Sequence, residues 1–165
     1  MKILVLAVGR LRAGPYADLT AEYLRRSGRF APVELREVPT VKGGGPAATA
    51  AREGERLLAA IKETDRVVVC DERGREFDTA GLARWLGQAR DRGGSGRLVF
   101  VLGGAEGISP ALRERADQVL ALSRLTLPHE LARLVLCEQL FRVFSLLAGH
   151  PYHRGGAAEE RQASK

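Results

Sequence analysis

The three histidines of the chain are the first candidates for chemistry, because imidazole can ligate a metal ion or carry a proton near neutral pH. They are His129, His150 and His153, and the last two fall within the stretch HPYHR, residues 150–154. A zinc site needs three or four ligands that converge on one point, and Pro151 argues against a shared helical face for the two histidines around it. Because no cysteine or carboxylate pair completes a ligand set, we expect no metal site.

The alternatives to metal binding place the histidines in catalysis or in contact with a nucleotide. His129 would lie in the first turn of a long apolar helix, where its ring could accept a hydrogen bond or act as the N-cap. Tyr152, His153 and Arg154 follow that helix directly, and side chains of these types can stack on a nucleobase or bind phosphate. The residue types alone do not choose between these roles.

A second candidate site comes from three loops, each of which follows an apolar run of strand length. GGAEGIS (103–109) follows RLVFVL, the charged stretch DERG (71–74) follows RVVVC, and SRLTLP (123–128) follows QVLAL. If the strands are parallel, their carboxyl ends meet at one edge of the sheet, where loops form ligand pockets. SRLTLP has few reactive side chains, so it would offer backbone groups to a flat polar ligand such as adenine. An ordinary structural role for each loop remains the alternative.

The sequence of the glycine-rich loop argues against two common classes of ligand. GGAEG lacks the spacing GxGxxG and has no Lys-Ser/Thr pair, so neither a dinucleotide nor a nucleoside triphosphate is expected.

The segments that would position these loops alternate between strand and helix. Apolar or alternating runs predict the strands, and amphipathic segments between them predict the helices. Strands are expected at residues 2–8, 33–38, 66–70, 97–102 and 118–122, and helices at 15–29, from the turn 41–46 to about 62, at 79–92, from 110, and from about 129 to 148. This alternation indicates an α/β fold with a mostly parallel sheet and helices on both faces.

Length and composition favour a single domain. The chain has 165 residues, 45% of them hydrophobic, which is enough to bury one sizeable core. We expect one domain over residues 1–154 and a disordered polar tail at 155–165. No apolar run approaches the roughly 20 residues of a membrane span, and no signal-peptide cleavage region is apparent, so a cytoplasmic protein is expected.

The charge balance suits a polyanionic partner. Lys and Arg number 26 against 20 Asp and Glu, for a net charge of +6, and most of the basic residues are arginine. Arginine binds phosphate and stacks on bases, although an arginine-rich genome gives the same composition. Cys70 and Cys137 lie in apolar segments without zinc or redox spacing, so both are expected to be reduced.

The last predicted helix has more apolar surface than the cover of one sheet face requires. Its polar stripe is narrow and consists of Glu130, Arg133, Glu138, Arg142 and Ser145. A helix on a sheet needs an apolar stripe of only about 100°. The excess favours a homodimer, and a central helix within a monomer is the alternative. Arg133 and Arg142 would contact RNA or the second subunit, or form a solvated salt bridge.

These segments together resemble one family. The block LSRLTLPHELARLVLCEQLFRVFSLLAGHPYHR (122–154), with MKILVLAVGRL at the start, EGERLLAAI in the middle and VFVLGGAEGIS, resembles the RlmH family of bacterial SPOUT-class methyltransferases. The resemblance spans residues 1–154. It implies a homodimeric α/β enzyme whose C-terminal part forms a deep trefoil knot that holds S-adenosylmethionine, and it argues against a metal role for the histidines.

The resemblance also implies which residues bind the cofactor. Most of these contacts would be made through the backbone, which accounts for the few reactive side chains at the matching positions. Cys70 stands where the family usually has leucine. The matching positions are Cys70, Gly103, Leu122, Ser123, Arg124, Leu125, Thr126 and Leu127.

The implied reaction is methyl transfer to N3 of a pseudouridine in 23S ribosomal RNA, within a loop at the interface of the ribosomal subunits. The candidate catalytic residues are His129, Tyr152, His153 and Arg154, with either histidine as the base that removes the N3 proton. Arg154 would polarise a carbonyl oxygen or hold phosphate. Two alternatives are a SPOUT enzyme for another RNA position and a ribosome- or RNA-binding factor without catalysis.

Overall fold

The computed structural model describes residues 2–93 and 96–149. Within these ranges the strands are β1 (Ile3–Val8), β2 (Val33–Val38), β3 (Arg66–Glu76), β4 (Leu98–Leu102) and β5 (Gln118–Ala121). The helices are α1 (Pro15–Ser27), α2 (Gly45–Ala59), α3 (Thr79–Asp91), α4 (Pro110–Arg115) and α5 (His129–Leu147). The predicted alternation of strands and helices is confirmed.

Several helices begin at residues that are suited to a helix start. Pro15 and Pro110 occupy the first turns of α1 and α4, where a missing N–H group costs nothing. The Asp78 side chain caps α3 by accepting a hydrogen bond from the Gly81 N–H group, and the Ser109 hydroxyl accepts one from Leu112 at the start of α4.

The five strands form one sheet in the order β2-β1-β4-β3-β5, and every pairing that the structure describes is parallel. The central strands β1 and β4 are buried along their whole length. Apolar residues that succeed one another along these strands face opposite sides of the sheet, so both faces need a cover of helices. The predicted α/β class and parallel sheet are confirmed.

The helices divide between the two faces. Val5, Phe100 and Val68 belong to a core that is shared with α1, α3 and α5. Leu6 and Val101 belong to the core on the other face, which Leu57 of α2 and Leu112 of α4 complete. This arrangement leaves the carboxyl ends of β1, β3, β4 and β5 at one edge of the sheet.

Helix α5 occupies the middle of its layer, between α1 and α3. Phe141 packs against Tyr23 of α1 at 6.0 Å between ring centroids, and on the other side the Thr79 hydroxyl of α3 donates a hydrogen bond to Gln139 Oε1 at 3.0 Å. Most of the apolar surface of α5 is therefore covered by the sheet and by two neighbouring helices of the same chain. Its apolar excess therefore does not require a second subunit, and the homodimer stays a prediction, as does the trefoil knot.

The end of β3 differs from the prediction. The charged stretch that begins with DERG (71–74) was expected to be a loop, but residues 71–76 continue the strand, which pairs with β5. Cys70 and Arg75 both lie opposite Leu120, so the residues between them form an irregularity in the ladder. Gly74 permits the close approach of β3 to the β5 backbone, because a Cβ atom at this position would lie 2.6 Å from the Leu120 carbonyl carbon.

None of the helices within the described ranges combines the length and apolarity that a bilayer crossing requires. The expected disordered tail, 155–165, and the end of the expected domain lie outside the described residues.

Candidate active site at the carboxyl edge of the sheet

A cavity of about 650 Å³ opens at the carboxyl ends of β3, β4 and β5. Three segments enclose it: the end of β3, the glycine-rich turn after β4, and the connection from β5 to α5. Its lining comprises Cys70, Asp71, Glu72, Arg73, Leu102, Gly103, Gly104, Ala105, Glu106, Gly107, Ile108, Leu122, Ser123, Leu125, Thr126, Leu127, Pro128, His129 and Ala132. The three loops that the sequence singled out thus converge, as the parallel strand order requires.

The glycine-rich turn is shaped by its own backbone. Gly104 and Gly107 form an isolated antiparallel bridge, in which the Gly107 N–H group donates to the Gly104 carbonyl at 3.1 Å. A Cβ atom at Gly103 would lie 2.6 Å from the Gly107 carbonyl oxygen, so this position needs glycine for the turn itself. Gly107 has φ of 82°, and a Cβ atom there would meet no protein atom within 4 Å. Backbone at Gly107 is therefore accessible to a ligand.

Helix α2 supports this turn from the other face of the sheet. Glu53 is 4% exposed, and its Oε1 atom accepts a hydrogen bond from the Val41 N–H group at 3.0 Å. A Cβ atom at Gly104 would overlap Glu53 Oε2, and one at Gly54 would overlap the Ser109 hydroxyl. The pair Glu53 and Gly54 thus contacts both ends of the turn. Sequence reasoning missed this support, although the pair lies within EGERLLAAI.

Side chains from the irregular part of β3 form the charged side of the cavity. Asp71 accepts a hydrogen bond from Arg113 of α4 at 2.5 Å, and Glu72 accepts one from the Thr126 hydroxyl at 2.9 Å. The second contact joins the end of β3 to the connection that precedes α5. Because Arg113 offsets the charge of Asp71, the lining keeps two carboxylates, Glu72 and Glu106, against the guanidinium of Arg73, and its charge suits a cationic ligand.

The connection from β5 to α5 exposes backbone more than reactive side chains. The Ser123 hydroxyl accepts a hydrogen bond from the Leu125 N–H group at 2.9 Å, and the Leu125 side chain is 75% exposed. Arg124 does not line the cavity: its side chain points to Glu76, whose carboxylate it meets at 2.7 Å. The hydrogen bond from Arg124 lowers the pKa of the exposed Glu76 carboxyl.

Cys70 lines the cavity and packs against the core cluster that contains Cys137 of α5. Burial raises the pKa of each thiol to about 12, so neither forms a thiolate at neutral pH. Both are free cysteines, in agreement with the expected reduced state. Cys70 therefore acts as a small apolar wall of the cavity.

His129 is the first residue of α5 and lines the cavity. The suggestion that it serves as the N-cap is wrong, because Pro128 occupies that position and no side chain caps the helix. Pro128 also disfavours a helical conformation for the residue before it, so α5 begins at His129.

One buried charge was not expected from the sequence. Arg133, on the predicted polar stripe of α5, is 1% exposed and bonded to the Glu37 carboxylate and to two backbone carbonyls at the end of β1. It is neither a solvated residue nor a direct contact for RNA. Arg142 pairs with Glu138 on the same helix.

A family model described as "Predicted SPOUT methyltransferase" matches residues 1–153. This chain is a SPOUT methyltransferase. Relatives of similar length support the assignment. A protein from Nitrosospira multiformis is 47% identical over 157 residues, and the match covers 93% of this chain and 99% of that protein. A protein from Anaeromyxobacter sp. (strain K) is 45% identical over 159 residues, and the match covers 93% of this chain and 100% of that protein. Both are named "Ribosomal RNA large subunit methyltransferase H". The resemblance to the RlmH family is confirmed.

A solved structure shares the fold of this SPOUT methyltransferase. The structure described as a probable methyltransferase from Bordetella pertussis Tohama I has a TM-score of 0.54 and 15% sequence identity, and the match covers 87% of this chain and 94% of that one. At this identity the likeness concerns the fold alone.

The structure brings most of the expected site residues of this SPOUT methyltransferase together. Seven of the eight positions expected to contact a cofactor line one cavity, and Arg124 is the exception. His129 lies at the same cavity, whereas Tyr152, His153 and Arg154, with His150, lie outside the described residues. Among the residues described, no group of three or more His, Cys, Asp or Glu is placed to hold a metal ion.

Proposed function

We propose that this SPOUT methyltransferase transfers a methyl group from S-adenosylmethionine to N3 of a pseudouridine in 23S ribosomal RNA, on the ribosome in the cytoplasm. The observation that carries the proposal is that the end of β3, the glycine-rich turn and the β5–α5 connection converge on one cavity, in a chain 45–47% identical to proteins named as large-subunit ribosomal RNA methyltransferases. The family supplies the reaction class, and the names of the relatives supply the substrate.

The cavity fits the proposed cofactor in size, charge and surface. A volume of about 650 Å³ lies within the range of small-molecule sites. S-adenosylmethionine carries a sulfonium and an ammonium group against one carboxylate, and its two cations suit the carboxylates of Glu72 and Glu106. The open backbone at Gly107 permits close approach of a ligand. These features support the site without requiring a metal ion.

The residues that would hold the cofactor act in two ways. Gly103 and the segment 122–127 would provide N–H and C=O groups for the adenine and ribose, and Cys70 with Leu122 would provide apolar contact. Arg124 would contribute its backbone only, since its side chain is engaged with Glu76. The cofactor, when bound, supplies a methyl group that is already activated for transfer.

The remaining task of the chain is to orient the nucleobase and to accept the N3 proton. His129, which lines the cavity, and His153 are the two candidates for the base, whose contribution would be about 10² to 10⁴ in rate. Tyr152 and Arg154 would stack on the nucleobase and hold a carbonyl oxygen or phosphate. Correct positioning would lower the barrier by several kcal/mol more.

The family resemblance also leads us to propose a homodimer. Tyr16 and Leu19 on α1 are 41% and 47% exposed, and this apolar surface would contribute to the contact between subunits. Light scattering at micromolar concentration should give the mass of two chains, and a stable monomer would contradict the proposal.

Two measurements test the proposed function. Calorimetry with S-adenosylmethionine should show binding at one site per chain, and ribosomes from a strain that lacks the modification should become methylated at N3 of a single 23S pseudouridine. A product mapped to another nucleotide would indicate a SPOUT enzyme for another position. Ribosome binding without S-adenosylmethionine binding would indicate a factor without catalysis.

A truncated chain separates the cavity from the stretch that follows α5. A chain that ends at Pro151 should still bind S-adenosylmethionine, because the cavity residues 70–132 remain, while methylation falls by orders of magnitude. A chain that ends at Arg154 is the matched control and should retain full activity. Full methylation by the shorter chain would remove Tyr152, His153 and Arg154 from the catalytic assignment.

A further inference from the structure

The buried guanidinium of Arg133 is committed to the first loop of the chain. Its Nη1 atom donates to Glu37 Oε1 at 2.6 Å, and its Nη2 atom donates to the carbonyl oxygens of Val8 and Gly9 at 3.0 and 2.9 Å. Burial lowers the pKa of Arg133, and the nearby Glu37 carboxylate opposes that shift. A charge so fully removed from water persists only where its partners compensate the loss of hydration.

The loop that receives these bonds runs over residues 9–14, between β1 and α1. Glu37 Oε1 accepts a second hydrogen bond from the Leu11 N–H group at 2.8 Å, so one carboxylate joins Arg133 to the middle of the loop. Gly9 and Gly14 have φ of 80° and 146°, values that residues with side chains rarely adopt. The backbone path of this surface loop is therefore fixed from inside the protein.

The fixed loop presents two guanidinium groups to solvent. Arg10 and Arg12 are exposed, and no carboxylate in the described part of the chain pairs with either. Glu37, whose carboxylate contacts the loop backbone, is already bound to Arg133 and Leu11. Arginines on a fixed loop lose less conformational entropy when they bind phosphate than arginines on a mobile one.

The position of the loop relates it to the cavity. β1 pairs with β4, and Val8 contacts the glycine-rich turn after β4: a Cβ atom at Gly104 would lie 3.1 Å from Val8 Cγ1. Arg133 lies one helical turn after His129 and next to Ala132, both of which line the cavity. Loop 9–14 therefore stands at the same edge of the sheet, beside the proposed reaction site.

We propose that loop 9–14 is a docking element for the RNA substrate, in which Arg10 and Arg12 bind backbone phosphates while the buried pair Arg133 and Glu37 holds the loop in place. Arginine on phosphate positions RNA and does not read its sequence, so the loop would set the register of the substrate over the cavity. This inference rests on the proposed function, because ribosomal RNA is the polyanion that it places there.

The test compares ribosome binding by the wild-type chain with that by the double variant Arg10→Ala/Arg12→Ala. Unmodified ribosomes are the probe for KM and for the salt dependence of binding, and calorimetry measures S-adenosylmethionine affinity. The variant should raise the KM for ribosomes by about tenfold or more at physiological salt and make the slope of log affinity against log salt shallower by about 1 to 2. Both kcat and cofactor affinity should be unchanged within about twofold.

Two control variants define what the arginines contribute. Arg29→Ala removes an exposed arginine next to the amino ends of the strands and should leave KM and the salt slope at wild-type values. Arg10→Lys/Arg12→Lys keeps both charges and should restore the wild-type salt slope and much of the affinity, since the salt-dependent part of binding follows the number of phosphates neutralised.

The outcomes separate the inference from the proposed function. A wild-type chain that methylates ribosomes, with a double variant of unchanged KM and salt slope, would overturn the docking role and leave the methyltransferase proposal intact. Loss of S-adenosylmethionine affinity in the double variant would also overturn it, because the loop would then shape the cavity. A wild-type chain that neither binds nor methylates ribosomes would remove both proposals.

Discussion

Two pairs of an arginine and a carboxylate lie at opposite edges of the same sheet, and they have different structural roles. At the amino edge, Arg97 and Asp65 precede β4 and β3 and meet at 2.5 Å. At the carboxyl edge, Arg133 and Glu37 meet at 2.6 Å beside the end of β1. The first pair joins two strands, and the second joins the core to a surface loop.

The partners of each pair account for the difference. Asp65 accepts hydrogen bonds from the Lys62 and Arg97 N–H groups at 2.8 and 3.0 Å as well as from the Arg97 side chain, so its charge is fully compensated. The hydrogen bond to Asp65 raises the pKa of Arg97, whereas burial lowers that of Arg133. Arg133 Nε also lacks a hydrogen-bond partner. The pair at the amino edge therefore stabilises the fold. The pair at the carboxyl edge includes a charge whose burial is less favourable, and it holds a surface loop.

The largest effect should follow from breaking the pair at the carboxyl edge. Arg133→Met removes the buried charge and leaves the Val8 and Gly9 carbonyls without their donor, so the free energy of unfolding should fall by about 3 kcal/mol in urea titration. The KM for ribosomes should rise as well, because loop 9–14 loses its support.

Glu37→Gln changes the same pair and should have a smaller effect than Arg133→Met. It keeps an oxygen acceptor for Arg133 and Leu11 but removes the negative charge, so it should lie between wild type and Arg133→Met in both measurements. An unchanged KM for ribosomes in a folded Arg133→Met protein would show that the pair supports the fold only.

Breaking the pair Arg97 and Asp65 at the amino edge should have a smaller effect, which is confined to stability. Burial alone would raise the pKa of the Asp65 carboxyl, but the Arg97 side chain and the N–H groups of Lys62 and Arg97 outweigh it and hold the pKa at about 2. Relative to the ordinary value of 3.8, this corresponds to about 2 kcal/mol of stability at neutral pH. Asp65→Asn should lower the free energy of unfolding by that amount, with the KM for ribosomes unchanged.

The pH dependence of the same variant sharpens the test. A carboxyl group whose pKa is lowered by folding stabilises the protein above its unfolded pKa, and the contribution is lost as pH falls from about 4 to about 2. The stability difference between wild type and Asp65→Asn should therefore be constant above pH 5 and shrink below pH 4. A difference that persists at pH 2 would mean that the carboxylate charge is not its source.

Much of this arrangement could be predicted from the sequence, because it depends on local pattern and on strand direction. The apolar runs located all five strands, and the rule that parallel strands share a carboxyl edge brought Cys70, Gly103 and Ser123 to one cavity. Residues 71–76 were missed as strand because charged residues carry no apolar alternation, and their pairing with β5 depends on tertiary contact.

The role of Arg133 could not be found from the sequence, for a similar reason. Its partners Glu37, Gly9 and Val8 lie 96 to 125 positions away, and a helical pattern assigns any arginine to the polar side. The apolar excess of α5 was likewise real, but pattern alone cannot distinguish a neighbouring helix of the same chain from one of a second subunit.

The smallest effect is expected at a third pair, Arg124 and Glu76, which is exposed on both sides. The side chains are 86% and 44% accessible, so water screens their contact even at 2.7 Å, and Arg124→Ala should leave the urea midpoint unchanged. Arg36→Ala, which breaks the exposed pair with Glu34, is the matched control. Because the Arg124 side chain lies outside the cavity lining, S-adenosylmethionine affinity should also stay at the wild-type value. Loss of cofactor affinity in Arg124→Ala but not in Arg36→Ala would show that this guanidinium turns from Glu76 towards the ligand, and the assignment of backbone contacts alone at residue 124 would be wrong.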